Sequence, residues 1–191
     1  DIPNKGDGQF HPFDTDLVLN CLDQIHYPNV DLEVEIYVLP YPRLNALSSS
    51  ASGHRIYLSP QVLEISKEGA AYIVTHEMGH VFQHRYLPDP SYRRWNQYRR
   101  IRGIENETKF SSSSAHAYRP HEIFAEDFRV LFGGPWAYFG GRVENPELAS
   151  PQWVAGLEPF FLGLTTAAPD QPFIVSFGGF PNPFNPQTEL R

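Results

Sequence analysis

Apolar residues recur along this 191-residue chain with two different periods, and the change of period marks out its elements. Between Lys67 and Arg85, the residues Ala71, Val74, Met78, Val81 and Phe82 fall three or four apart, the spacing of one helical face. Ile73, His76, Glu77, His80 and His84 fall on a second face of the same run. Ser66 or Lys67 starts this helix, no proline interrupts it, and Pro88 follows its end. A second helix is expected over Pro120 to Phe132, with proline in its first turn and Gly133-Gly134-Pro135 after its last. Its apolar stripe is Phe124, Phe128, Leu131 and Phe132, and Glu122 and Glu126 form a separate acidic stripe.

Shorter elements surround these two. Asp14 or Thr15 caps a helix that carries Leu17, Val18, Cys21, Leu22 and Ile25 and ends near Pro28. Val34, Ile36 and Val38 alternate with Glu33, Glu35 and Tyr37, as a half-buried strand requires. His54 to Ser59 reads as a second strand, expected at a sheet edge where an extended peptide can pair main chain to main chain. Asp89 to Arg102 reads as an aromatic-rich helix whose Arg93, Arg94, Arg99 and Arg100 form a solvated face. A last helix is expected near Gln152 to Leu162, and the loop Ser111 to Ser114 is expected to be flexible.

The mixture predicts one α+β domain over residues 1–164, with a small mixed sheet and two principal helices. Residues 165–191 change character: Ala167-Ala168-Pro169 reads as a linker, Phe173 to Phe177 as a short strand, and the rest as a proline-rich tail. A hydrophobic content of 41% suffices for one substantial core. The net charge of -7 argues against nucleic acid as a partner. No apolar run is long enough for a membrane span. The single cysteine, Cys21, precludes an internal disulfide, and with no base near it reads as a buried apolar residue.

His76-Glu77-Met78-Gly79-His80 carries the chemistry. On a helix, positions 76 and 80 project from nearly the same face, one turn and about 6 Å apart, so both imidazoles can hold one metal ion. Glu77 lies beside them, placed to take a proton from a water at the ion's open position, as in a zinc protease. Gly79 sits where a small residue lets another segment approach closely. A catalytic zinc needs a third protein ligand. The extension with a third histidine at position 86 is excluded, because the chain has Gln83 and Tyr86. His84, a further turn along the rod, cannot converge with both other imidazoles on one tetrahedral ion. The acidic stripe offers the alternative, with Glu122 as third ligand and Glu126 or Asp127 as the acceptor that orients a ligand histidine through its other ring nitrogen.

With His76-Glu77-Met78-Gly79-His80 followed by Glu122-Ile123-Phe124-Ala125-Glu126-Asp127-Phe128, the chain resembles the anthrax-lethal-factor-like zinc peptidases, which include the bacterial Pro-Pro endopeptidases. The resemblance implies a zincin-like domain holding one zinc ion through His76, His80 and Glu122. It also implies endopeptidase activity with Glu77 as general base, on a peptide or protein substrate that can contain proline. That family places an active-site tyrosine seven residues before the ligand glutamate, and position 115 here is alanine. Tyr118 is the nearest substitute as donor to the oxyanion, and His116, Arg119 and His121 flank it as alternatives. The stretch Gly178-Gly179-Phe180-Pro181-Asn182-Pro183-Phe184-Asn185-Pro186 resembles the opening of the C-terminal sorting domain of Gram-negative proteins exported by the type IX system, which implies a secreted or surface-displayed protein. The contrasting expectation, from a different functional class, is a zinc-stabilised binding or adhesion module without turnover.

Overall fold

The computed structural model describes residues 4–28, 30, 32–43, 46–89, 91–166 and 174–178. Asp14 holds extended backbone and its carboxylate accepts the Leu17 N–H at 2.8 Å, which caps α1, Thr15–Asp23. Three strands follow: β1, Glu33–Val38, β2, Ser50–Ser52, and β3, Arg55–Leu58. The long helix α2, Lys67–Tyr86, starts at Ser66, whose hydroxyl accepts the Gly69 N–H at 3.1 Å. Next come α3, Tyr92–Arg102, α4, Pro120–Phe132, the short α5, Gly134–Ala137, and α6, Leu157–Thr165. The last described element is β4, Ile174–Gly178. The chain is therefore α+β.

The sheet is mixed, in the order β2-β3-β1-β4. β1 runs parallel to both β3 and β4, whereas β2 and β3 are antiparallel. Val34 and Ile36 of β1 and Ile56 and Leu58 of β3 are buried on one face, the alternation expected for the first strand. One expectation is corrected here. The strand expected over His54 to Ser59 is β3, and it is interior rather than at an edge, because β2 covers it. Ser50-Ala51-Ser52 has no β-branched or aromatic residue, so β2 left no mark in the hydrophobic pattern.

Burial follows the two helical stripes. Val74, Met78, Val81 and Phe82 of α2 meet Phe124 and Phe128 of α4 in one core, with Phe161 of α6 and Tyr27 packed against them. Cys21 is buried in the same core, and burial pushes its thiol up to about 11, an inert environment. α2 and α4 pack tightly at Gly79. A Cβ there would lie 2.7 Å from the Ala125 Cα and 2.9 Å from its carbonyl oxygen, so α2 and α4 approach to a distance that only glycine permits.

α3 departs from its expected solvated face at Arg99. Arg93 and Arg100 are exposed, but Arg99 donates to the carbonyls of Ile104 and Phe110. Arg102 is fully buried and donates from Nε to both oxygens of Asp127 at 2.9 Å, while the Tyr98 hydroxyl donates to the same carboxylate at 2.7 Å. Burial pushes Asp127 up to about 7, against the pull of Arg102 and Tyr98. The loop Ser111 to Ser114 is a hydrogen-bonded turn, with the Ser111 N–H donating to the Ser114 hydroxyl and that hydroxyl to the Lys109 carbonyl. Among the described residues, no helix is long and apolar enough to cross a membrane. The linker at residues 167–169 and the proline-rich stretch from residue 179 onward lie outside the described residues.

Candidate metal centre

α2 and α4 lie side by side, and their polar stripes face each other. His76 and His80, one turn apart on α2, turn their Nε2 atoms toward Glu122 in the first turn of α4. The three donor atoms form a nearly equilateral triangle: His76 Nε2 to His80 Nε2 is 3.2 Å, His76 Nε2 to Glu122 Oε2 is 3.2 Å, and His80 Nε2 to Glu122 Oε2 is 3.0 Å. Three ligands at tetrahedral zinc, each at about 2.0–2.1 Å, stand ~3.3 Å from one another. The donor set fits an ion of that size. Among the described residues, this is the group of histidine, cysteine and carboxylate side chains close enough to share a metal.

The tautomers support the same reading. His76 Nδ1 lies 2.9 Å from Glu126 Oε1, an acceptor, so Nδ1 carries a hydrogen and Nε2 is left to face the triangle. Three electron-rich atoms pointing at one another repel unless a cation sits among them. A proton can serve: burial disfavours the charged His76 ring, but hydrogen bonds to Glu122 and Glu126 outweigh it and lift this group to about 9. Burial likewise opposes ionisation of Glu122, yet the two histidines hold its carboxyl well below the usual range. His80 moves the other way, lowered chiefly by burial. A metal ion taking these lone pairs displaces the proton. Two imidazoles and one carboxylate suit zinc, and also ferrous iron.

Glu126 fixes the arrangement from behind. It is 2% exposed and accepts four hydrogen bonds: from His76, twice from Arg129 at 3.1 and 2.9 Å, and from the backbone N–H of Glu144 at 2.9 Å. Burial raises its carboxyl, but His76 and Arg129 overcome this and hold it at about 2. Arg129 also donates to the carbonyls of Ala137 and Arg142, and its guanidinium lies 4.2 Å above the Tyr72 ring. Tyr72 in turn stacks parallel to His76. Of the two orienting candidates the structure selects Glu126, since Asp127 faces α3.

Glu77 is 6% exposed, and among the described residues no group hydrogen-bonds its carboxylate. Burial pushes it up to about 7, against the pull of His76. It lines an open cavity of about 900 Å³ together with the three triangle residues. The opposite wall is Leu47 to Ala51, which includes two residues of β2. A buried carboxylate to which no described residue donates, beside the triangle and lining the cavity, is placed to accept a proton from water.

The remaining sequence candidates separate. His84 is exposed and outside the triangle. Tyr118 does not line the cavity: its hydroxyl donates to Glu147 at 2.8 Å, within a pair that includes Lys109. His121 is held by Asp89 at 2.8 Å and packs on Trp95, and Arg119 Nε donates to the Ser114 carbonyl. His116 is the flanking residue brought to the triangle, with Nε2 3.3 Å from Glu122 Oε2 and Nδ1 2.7 Å from Glu144. Sequence reasoning missed Glu144 and Arg129 altogether. Arg129 had one available signal, its position three residues after Glu126 on the helix, whereas Glu144, in a connecting segment, had none. Comparison of the chain with protein-family profiles, with curated proteins and with solved structures gives no match.

Proposed function

We propose that the protein is a zinc-dependent endopeptidase of zincin type. The observation that carries this reading is the convergence of His76, His80 and Glu122 to within 3.2 Å, with Glu77, to which no described residue donates, beside them in an open cavity. The resemblance of the two helical motifs to the anthrax-lethal-factor-like peptidases supports it, and extends it to substrates that contain proline. The resemblance of the proline-rich tail to a type IX sorting signal supports export to the cell surface or medium.

His76, His80 and Glu122 would hold the ion. When bound, zinc acidifies a water and polarises a carbonyl group. Glu77 takes one proton from the attacking water as its oxygen bonds to the carbonyl carbon, then delivers that proton to the departing nitrogen as the C–N bond breaks. Glu126 keeps the His76 ring in the required tautomer and Arg129 keeps Glu126 in place. The open cavity of about 900 Å³ leaves room for substrate on both sides of the scissile bond, as an endopeptidase needs.

The test uses a fluorogenic peptide library, the zinc-loaded protein and its Glu77→Gln variant, with metal analysis of both. Expected is cleavage that a chelator abolishes and zinc restores. Glu77→Gln should retain one zinc and lose cleavage by at least about 100-fold, the usual contribution of a general base. Cleavage by Glu77→Gln at the parental rate would sink the mechanism. Stoichiometric zinc with no hydrolysis by the parent protein would instead indicate a zinc-stabilised binding module.

A further inference from the structure

We infer that His116, oriented by Glu144, is a second catalytic side chain of this site, donating a hydrogen bond to the carbonyl oxygen of the scissile bond as negative charge builds there. The inference rests on the peptidase reading above and deepens it. It answers a specific deficiency: hydrolysis of a peptide bond develops charge on an oxygen, and a positioned donor is needed where that charge appears. Tyr118, the residue the chain offers nearest to the expected tyrosine, is turned to Glu147 and Lys109 and does not line the cavity.

His116 has the required placement. Its ring stands 6.5 Å from the His76 ring, and its Nε2 touches the metal triangle at one point, 3.3 Å from Glu122 Oε2. It is not a member of the mutually close donor group, which is His76, His80 and Glu122 among the described residues. It lines the same open cavity as Glu77 and the triangle. Both its nitrogens face carboxylate oxygens, Nδ1 toward Glu144 at 2.7 Å and Nε2 toward Glu122 at 3.3 Å.

The support behind His116 separates it from an ordinary surface pair. With side-chain exposures of 53% and 39%, the His116 and Glu144 contact adds little stability by itself. The Glu144 backbone is nevertheless fixed, because its N–H donates to Glu126, the same carboxylate that accepts from His76. The turn carrying His116 is fastened too, by the Asn145 side-chain amide donating to the Ala117 carbonyl at 2.9 Å. One buried carboxylate thus sets the positions of a metal ligand and of the group that holds the donor. Arg119 and His121 line the cavity too, but Arg119 Nε donates to the Ser114 carbonyl and His121 Nε2 faces Asp89, whereas His116 Nε2 stands 3.3 Å from Glu122.

The experiment compares the zinc-loaded parent with His116→Phe, His116→Gln and Glu144→Gln, using a fluorogenic peptide selected from a randomised library by cleavage with the parent. Expected for His116→Phe is a fall in kcat of about 100-fold with KM changed less than about 3-fold, because the bond forms only as charge develops. Zinc stoichiometry and affinity should be unchanged. A phosphinic analogue of that peptide, which mimics the tetrahedral state, should bind His116→Phe more weakly by a comparable factor. His116→Gln, which keeps a donor, should recover part of kcat, and Glu144→Gln should lose about 10-fold. Parental kcat in His116→Phe, while Glu77→Gln is inactive, overturns the role of His116 and leaves the peptidase reading standing. Loss of zinc in step with activity overturns it in another way, by making His116 a ligand. A zinc-loaded parent that cleaves nothing overturns both.

Discussion

Replacing Gly79 by alanine isolates the packing that builds the metal triangle. Alanine is the better helix residue, by roughly 1 kcal/mol in a helix interior, so propensity alone predicts stabilisation. The structure predicts the opposite. The added Cβ would stand 2.7 Å from the Ala125 Cα, whereas unstrained carbon contacts lie at about 3.5–4.0 Å. The atoms it meets are backbone of α4, which cannot swing aside as a side chain can, so the two helices must separate by on the order of 1 Å. Overpacking of this kind costs about 1–3 kcal/mol. Set against the propensity gain, the net loss is up to about 2 kcal/mol, equivalent to at most roughly 8 °C in Tm for a chain of this size. Glu122 lies one turn before Ala125 on the same helix and must retreat with it. Triangle edges of 3.0–3.2 Å would open to about 4 Å, beyond the ~3.3 Å that tetrahedral zinc accepts, and affinity should fall by about 10–100-fold.

Gly163→Ala is the control. It too lies inside a helix, but a Cβ there meets nothing within 4 Å, so this variant should be unchanged or stabilised by up to about 1 kcal/mol. Both variants are measured by urea denaturation of the metal-free protein and by competition for zinc with a chromogenic chelator. Opposite signs for the two glycines, with weakened zinc binding in Gly79→Ala alone, are expected. If Gly79→Ala is as stable as the parent and binds zinc as tightly, the spacing of α2 and α4 does not set the site.

Further expectations concern the buried charges. Glu126→Gln should weaken zinc binding by about 10–100-fold, measured by the same competition, because His76 loses its charged acceptor. Glu126 also predicts acid sensitivity: its folded value of about 2 lies below the ordinary 4.5, so its contribution of about 3 kcal/mol is present above pH 4.5 and is lost as pH falls toward 2. Urea midpoints of the metal-free protein between pH 2 and 6 should therefore fall less steeply for Glu126→Gln than for the parent, and equal slopes would contradict the assignment. Arg102→Ala should destabilise by about 3–5 kcal/mol in thermal or urea unfolding, since it strands Asp127, and the triple change Arg102→Met, Asp127→Leu and Tyr98→Phe, which also removes the Tyr98 hydroxyl bonded to Asp127, should recover part of that loss. Arg129→Lys should lower both stability and zinc affinity despite keeping the charge, because lysine cannot reproduce the forked contacts to Glu126 and the carbonyls of Ala137 and Arg142.

What the sequence made legible was whatever a single helix determines. His76 and His80 share a face because of the helical repeat alone, and the bounds Pro120 and Phe132 follow from proline and glycine punctuation. The choice between Glu126 and Asp127 was also within reach: Glu126 lies four residues after Glu122 and shares its face, while Asp127 is rotated by about 100° toward α3. Tyr118 and His116 mark the limit. They lie two residues apart on a 3-10 turn, where each residue rotates by about 120°. Only one can face the cavity, and which one depends on Lys109, Glu144 and Glu147, whose positions no local pattern encodes. β2 was missed because its strand character comes from pairing with β3 and not from its own residues.

The same limit explains why the site reads as a unit in space while it is scattered along the chain. A metal ligand needs a fixed tautomer, and a fixed tautomer needs a buried acceptor. A buried carboxylate in turn tolerates its loss of hydration only when its lone pairs are filled. Glu126 meets that requirement with donors from three segments: His76 on α2, Arg129 on its own helix, and the Glu144 N–H in the segment beyond α5. Because Glu144 also holds His116, satisfying one buried charge brings the second side of the cavity into register with the first. The motif on α2 brings His76 and His80 to one face, and the need to solvate Glu126 inside the protein assembles the groups around them.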